Sequence, residues 1–273
     1  MTAKELALLE KAKSAISDFC SPLINPGEVP TKPIGLGSGT FVIMGNQKGI
    51  LTNAHVVNCM LQEKQNRFSV PDLDENLQEL AYSLIIKFPP AANPNTEVGP
   101  DIAFILLDDQ SYGVVTNKLK KQFWNIDQNT TINYDNENCL WMIWGNVWEG
   151  KEYKKISPRP ILYLKNAGQY FVVPDLDNIE YKTWPLKHVK ITVDNIISPI
   201  KTKEKTLNNF QGMSGAALWK IKLDDSGKVE KVFLMGLATE QKDRTLICRG
   251  PALLYQGFYP FTCGALHQWS LEH

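Results

Sequence analysis

Three short strings set a histidine, a carboxylate and a serine in the surroundings that nucleophilic chemistry needs. His55 stands in Ile50-Leu51-Thr52-Asn53-Ala54-His55-Val56-Val57, where an apolar run ends in small and polar residues and an imidazole follows at once. At a strand end a rigid scaffold can hold that imidazole where it takes and returns a proton. Asp101 stands in Gly99-Pro100-Asp101-Ile102-Ala103-Phe104-Ile105-Leu106-Leu107, a carboxylate entering a strongly apolar strand. Such a carboxylate is unfavourable unless something donates hydrogen bonds to it, and an imidazole N–H is one suitable donor. Taken alone, Asp101 reads as an ordinary strand-start aspartate. Ser214 stands in Phe210-Gln211-Gly212-Met213-Ser214-Gly215-Ala216-Ala217-Leu218, closely flanked by two glycines. That turn can aim consecutive backbone N–H groups at one point, as an oxyanion hole requires.

The elements that must position these residues are short and β-rich. The runs Thr40–Met44, Gly49–Thr52, Leu84–Phe88, Ile102–Leu107, Leu140–Trp144, Ile161–Leu164, Tyr170–Val173, Val189–Val193, Ala216–Ile221 and Val232–Leu237 read as strands. Asp224-Asp225-Ser226-Gly227 between the last two is a hairpin signal. No 10–15-residue helical pattern alternates with them, which argues against a parallel α/β sheet and for barrels or sandwiches. Before the strands, Thr2 and Glu5 fit a capping box, and Leu9, Ala12, Ile16 and Phe19 recur at helical spacing. The spacing predicts an amphipathic helix over 3–19 packed on the body of the protein. Pro22 to Pro33 holds four prolines and a glycine and reads as a linker. The polar stretch from about 117 to 138 is a bridge between two β-halves. Val70-Pro71-Asp72-Leu73-Asp74 recurs as Val173-Pro174-Asp175-Leu176-Asp177. The first copy mimics the start of a calcium loop, but such a loop needs glycine and glutamate where Leu77 and Ser83 stand, so both copies read as surface turns.

Composition narrows the function classes. Lys plus Arg number 29 and Asp plus Glu number 29, so no net charge steers the chain toward nucleic acid or an anionic membrane. No apolar stretch approaches the ~18 residues that span a bilayer. The first residues lack the continuous apolar region of a secretory signal. The five cysteines are odd in number and form no C-x-x-C, which predicts free thiols in the cytoplasm. No H-E-x-x-H is present, and Gly35-Leu36-Gly37-Ser38-Gly39 lacks dinucleotide-loop spacing, so no metal and no cofactor are expected. Leu271-Glu272-His273 look like the start of a vector-encoded tag.

Together, in the order His, Asp, Ser, the strings resemble the trypsin-like (chymotrypsin-fold) serine peptidases, most closely the HtrA-like branch. The resemblance runs through Gly37-Ser38-Gly39-Thr40-Phe41-Val42, Leu51 to Val57, Asp101 to Phe104 and Gly212 to Gly215, and covers about residues 34–262. It implies a mostly β chain of two antiparallel six-stranded-type β-barrels, with the active site in the cleft between them and an N-terminal helix added. The implied layout is 1–33 helix and linker and 34–270 peptidase domain, with barrels at about 34–116 and 138–262 and 271–273 as tag remnant. No PDZ domain follows. The resemblance implies Ser214 as nucleophile, His55 as general base and acid, and Asp101 as the group that fixes the imidazole tautomer. It assigns the N–H groups of Gly212 and Ser214 to the oxyanion hole. The strand around Gly236, Leu237, Ala238, Thr239 and Glu240 would pair with an extended peptide, and Asn208 would form the base of the primary specificity pocket. The implied partner is a protein or peptide substrate, with any activating partner unknown. Three positions depart from secreted relatives: Met213 replaces an aspartate, Val56 a cysteine and Ala216 a glycine. A catalytically silent barrel used as a protein-binding module is the alternative. An α/β-hydrolase esterase is disfavoured, since its chain order is Ser, Asp, His.

Overall fold

The computed structural model describes residues 3–25, 34–62, 68–72, 76–88, 100–130, 137–145, 153–156, 161–164, 169–173, 180–181, 188–192, 212–242 and 245–273. The chain is mostly β, with a curled antiparallel first sheet, a second antiparallel sheet and an N-terminal helix.

Helix α1 (Ala3–Ser17) forms as its periodicity predicts. Leu9, Ala12 and Ile16, spaced three and four apart, turn one stripe inward and are buried. Just beyond it the Phe19 ring lies 5.5 Å from Trp124 and 5.8 Å from Trp219, so the helix is stapled over the seam between the sheets.

The first sheet is built from β1 (Cys20–Asn25), β2 (Ile34–Met44), β3 (Gln47–Thr52), β4 (Phe68–Pro71), β5 (Leu77–Leu80), β6 (Tyr82–Lys87), β7 (Ala103–Leu107) and β8 (Trp124–Asn125). Its order is β5-β4-β1-β2-β3-β7-β6, with β8 pairing β2 in parallel. The end strands β5 and β6 are separated only by Ala81. Six strand spacings of about 4.8 Å would hold the edges of a flat sheet roughly 29 Å apart, while two peptide steps reach only about 7 Å. The sheet therefore curls until the joined ends of β5 and β6 come together at Ala81. The expected linker is corrected here. From Cys20 to Asn25 the chain is a buried strand, pairing Cys20 with Thr40 and Pro22 with Ser38. Residues 26–33 lie outside the described chain.

The second sheet comprises β9 (Cys139–Gly145), β12 (Gln169–Val173), β13 (Glu180–Tyr181), β14 (His188–Thr192), β15 (Ala217–Leu223), β16 (Val229–Lys242) and β17 (Thr245–Arg249), in the order β12-β9-β15-β16-β17-β14-β13. β10 (Tyr153–Ile156) and β11 (Ile161–Leu164) form a separate hairpin. Among the described residues the sheets thus hold eight and seven strands rather than six each. The Asp224–Gly227 hairpin forms as expected. Asp224 Oδ1 accepts from Ser226 Oγ at 2.7 Å and Lys228 N at 2.8 Å, which holds its carboxyl below the usual carboxylate range.

Period-2 alternation sorts side chains into three cores. On β7, Ala103, Ile105 and Leu107 fill the first sheet's interior, while Phe104 and Leu106 face the seam. On β15, Leu218 enters the second sheet's interior while Ala217, Trp219 and Ile221 face the seam. Strands apolar on both faces read as the uninterrupted runs seen in the sequence. Three further helices were not legible there. α2 (Ala54–Gln62) buries Val56, Val57 and Met60, and α3 (Asp109–Gly113) is capped by Asp108 accepting from Ser111 N at 2.7 Å. α4 (Tyr259–Glu272) begins with Pro260 and closes over the first sheet through Leu266.

Candidate active site

His55 sits in the first turn of α2, directly after strand β3 ends at Thr52. Its backbone N–H donates to Asp101 Oδ1 at 2.9 Å, and its ring Nδ1 lies 2.7 Å from Asp101 Oδ2. One carboxylate thus both caps the helix start and grips the imidazole. A carboxylate oxygen only accepts, so Nδ1 carries a proton, and in the neutral imidazole Nε2 is then the nitrogen with the lone pair. Asp101 is held in the left-handed region at φ 44, and Asn53 Nδ2 donates to its carbonyl at 2.8 Å. A non-glycine residue there is strained, and such strain gathers where a side chain must be aimed. The Asp101 side chain is 15% exposed and that of His55 44%, so the carboxylate is shielded while the imidazole keeps an open side.

The serine arrives from the second sheet on a turn pressed against the first. Ser38 on β2 donates its N–H to Ser214 O at 2.7 Å and its hydroxyl to Gly212 O at 3.0 Å. Gly215 N donates to Ala238 O at 2.8 Å, and Ala216 N donates to Met213 O at 2.7 Å. Gly215 must be glycine on two counts. Its φ is +82, and a Cβ there would lie 2.1 Å from Ser38 O and 2.3 Å from Thr52 Oγ1. Neither Gly212 N–H nor Ser214 N–H has an acceptor among the described residues. Met213 packs its side chain into the second sheet's interior and brings no charge to the turn. Ser214 Oγ donates to Thr239 O at 3.3 Å, and it makes no hydrogen bond to His55 among the described residues.

The structure thus brings His55 and Asp101 into direct contact and sets the Ser214 turn against the same sheet. The substrate-pairing expectation narrows to one end of its stretch of β16. Gly236 faces Leu218 of β15, Leu237 faces both Ala217 of β15 and Arg249 of β17, and Ala238 is bonded to Ala216 and paired with Cys248. Interior ladder positions have no free edge to offer a peptide. Pairing with β15 stops at Leu237, so the side of β16 away from β17 opens at Thr239 and Glu240. Asn208 lies outside the described residues.

Sequence reasoning missed Arg249, quoted Asn53 and Ser38 without giving them a role, and read Thr239 only as part of the substrate-pairing strand. Arg249 is fully buried on β17. Burial lowers its pKa from the usual value, while attraction to Asp101 and then Glu240 opposes that shift. A lone arginine closing the apolar run Leu246-Ile247-Cys248 was the available signal.

The chain has structural neighbours among the serine proteases. Neuropsin, a serine protease expressed in the limbic system of mouse brain, matches with a TM-score of 0.43 at 16% identity, over 90% of this chain and 94% of that chain. The active form of the Rv3671c protease from M. tuberculosis matches with a TM-score of 0.45 at 12% identity, over 89% of this chain and 81% of that chain. No family model matches the sequence, and no curated protein does.

Among the described residues no group of three or more His, Cys, Asp or Glu side chains is placed to hold a metal ion. Among them, too, no helix is long and apolar enough to cross a membrane. All five cysteines are free thiols.

Proposed function

We propose that the chain is a serine endopeptidase that hydrolyses peptide bonds of a protein substrate through an acyl-enzyme, with Ser214, His55 and Asp101 as its triad. The observation that carries this is the two-point grip of Asp101 on His55, through the backbone N–H and Nδ1. It leaves Nε2 as the base. In the attacking state the Ser214 hydroxyl leaves Thr239 O, donates to His55 Nε2 and loses its proton there as Oγ bonds to the substrate carbonyl carbon. Catalytic hydrogen bonds often tighten only once substrate is bound, so the resting Thr239 contact is compatible with this step. The carbonyl oxygen becomes an oxyanion and is received by the N–H groups of Gly212 and Ser214. His55 then protonates the leaving amine, and water releases the acyl group by the same steps in reverse. Free thiols are the reason to place the protein in a reducing cytoplasm. Met213, apolar and buried, has no carboxylate for a newly cut N-terminal amine, so the oxyanion turn is set without N-terminal processing.

The resting hydroxyl contact to Thr239 O is also what a silent, peptide-binding barrel would show. Incubating the full chain with a peptide library and reading products by mass spectrometry separates the two. Cleavage by the parent, reduced about 10⁶-fold in kcat by Ser214→Ala with the melting temperature unchanged, is the expected result. Parent-level cleavage by the alanine variant would remove Ser214 from the mechanism.

A further inference from the structure

We propose that Ser38 is a positioning residue for the oxyanion-binding turn, acting from the first sheet on a loop of the second; the inference rests on the peptidase reading above. Ser38 is completely buried, and every one of its polar groups meets the serine turn or its support. The N–H takes Ser214 O at 2.7 Å, the hydroxyl takes Gly212 O at 3.0 Å, and the carbonyl accepts from Thr52 Oγ1 at 2.7 Å. That carbonyl is also the atom against which the missing Cβ of Gly215 would collide. One residue therefore brackets the turn at Gly212, Ser214 and Gly215.

The consequence follows from peptide planarity, because fixing a carbonyl fixes the N–H on the other side of the same peptide unit. The Met213–Ser214 unit is pinned when Met213 O accepts from Ala216 N, and this directs the Ser214 N–H. Among the described residues the Gly212–Met213 unit is pinned only by the Ser38 hydroxyl on Gly212 O. Between that unit and the Gly212 N–H lie only the two backbone torsions of one residue, glycine at φ 95. Glycine can turn either way at such a position, so the Ser38 hydroxyl decides where the Gly212 N–H points. Removing the hydroxyl leaves the nucleophile and base in place and loosens one of the two donors that meet the oxyanion.

The test compares parent, Ser38→Ala and Ser38→Thr in the full chain. It reads kcat, KM, the pH profile of kcat/KM, the affinity of a peptide boronic acid that forms a tetrahedral adduct, and the affinity of an unreactive product peptide. Ser38→Ala should lower kcat about 10- to 100-fold, somewhat less than loss of a whole oxyanion donor. Boronate affinity should fall by the same factor, while KM, product-peptide affinity and the acid limb of the pH profile stay at parent values. Ser38→Thr, which keeps the hydroxyl, should restore kcat. Should the alanine variant not melt cooperatively, Ser38→Gly removes the same hydroxyl and stands in for it. Parent-level kcat without the hydroxyl overturns the proposal. So does a kcat loss matched by loss of product-peptide affinity or by a shifted acid limb, since that marks general distortion. A parent that neither cleaves peptide nor binds the boronate defeats the peptidase reading, and the role of Ser38 with it.

Discussion

The two halves of the candidate site are held by different means. The histidine–aspartate half is local to the first sheet, where one strained carboxylate bonds both the imidazole and the backbone of α2. The serine half belongs to the second sheet, but backbone atoms of the first hold it through close approaches that only glycine allows. Gly37 shows the same demand from the other side, since a Cβ there would lie 2.6 Å from Ser214 O. A carboxylate–imidazole contact fixes one half, and close backbone approach with one buried hydroxyl fixes the other, so the halves should fail differently.

Asp101→Asn attacks the first half with almost no change of shape. The amide cannot accept from Nδ1–H and backbone N–H as the carboxylate does, so the imidazole takes the wrong tautomer. The expected outcome is a loss of about 10⁴ in kcat with KM and melting temperature near the parent values. A kcat within a few-fold of the parent would show that the Asp101–His55 contact is only a helix cap.

Gly215→Ala attacks the second half. The methyl group meets Ser38 O and Thr52 Oγ1 at φ +82, so the turn must move away from the first sheet. A shift near 1 Å is expected to lower kcat about 100-fold, and unlike Asp101→Asn it should also lower the melting temperature. An alanine variant with parent stability would mean that the two sheets are less tightly joined at this point than the contacts imply.

Legibility followed the same division. Triad candidates could be read from local strings because histidine, aspartate and serine stand in distinctive settings. All ten expected strands form, since β7, β9 and β15 bury both faces and leave unbroken apolar runs. β1 escaped notice because Pro22 has no N–H and normally marks a break. It is tolerated because, among the described residues, β1 pairs with β4 only at Ile24–Ser69, which leaves Pro22 no ladder partner there on that side. α4 carries Pro260 and Gly264, and packing against the first sheet outweighs its weak helical pattern. Ser38, Thr239 and Arg249 could not be read, since their roles depend on which strands lie side by side. Which part of Gly236 to Glu240 keeps an open side has the same cause, because register alone decides that Leu237 is interior and Thr239 is not.

The thiols sharpen the contrast with the smallest effect. Cys59 lies exposed on α2, one helical turn beyond His55, whereas Cys20 and Cys248 are fully buried and burial pushes each thiol up to about 12. At pH 8 a maleimide should modify Cys59 of the folded chain first and leave Cys20 and Cys248 intact until denaturant is added. Five reactive groups should then be counted without any reductant. Modification of Cys248 ahead of Cys59 would show that the second sheet opens more readily than its packing implies.

The central claim is that Ser214 is a nucleophile activated by His55. Its most direct test is to treat the folded chain with a fluorophosphonate and map the adduct by peptide mass spectrometry. The account predicts a single phosphonyl adduct on the peptide carrying Ser214, absent from Ser214→Ala and strongly slowed in His55→Ala. An unlabelled parent, or labelling that persists unchanged in Ser214→Ala, would contradict it.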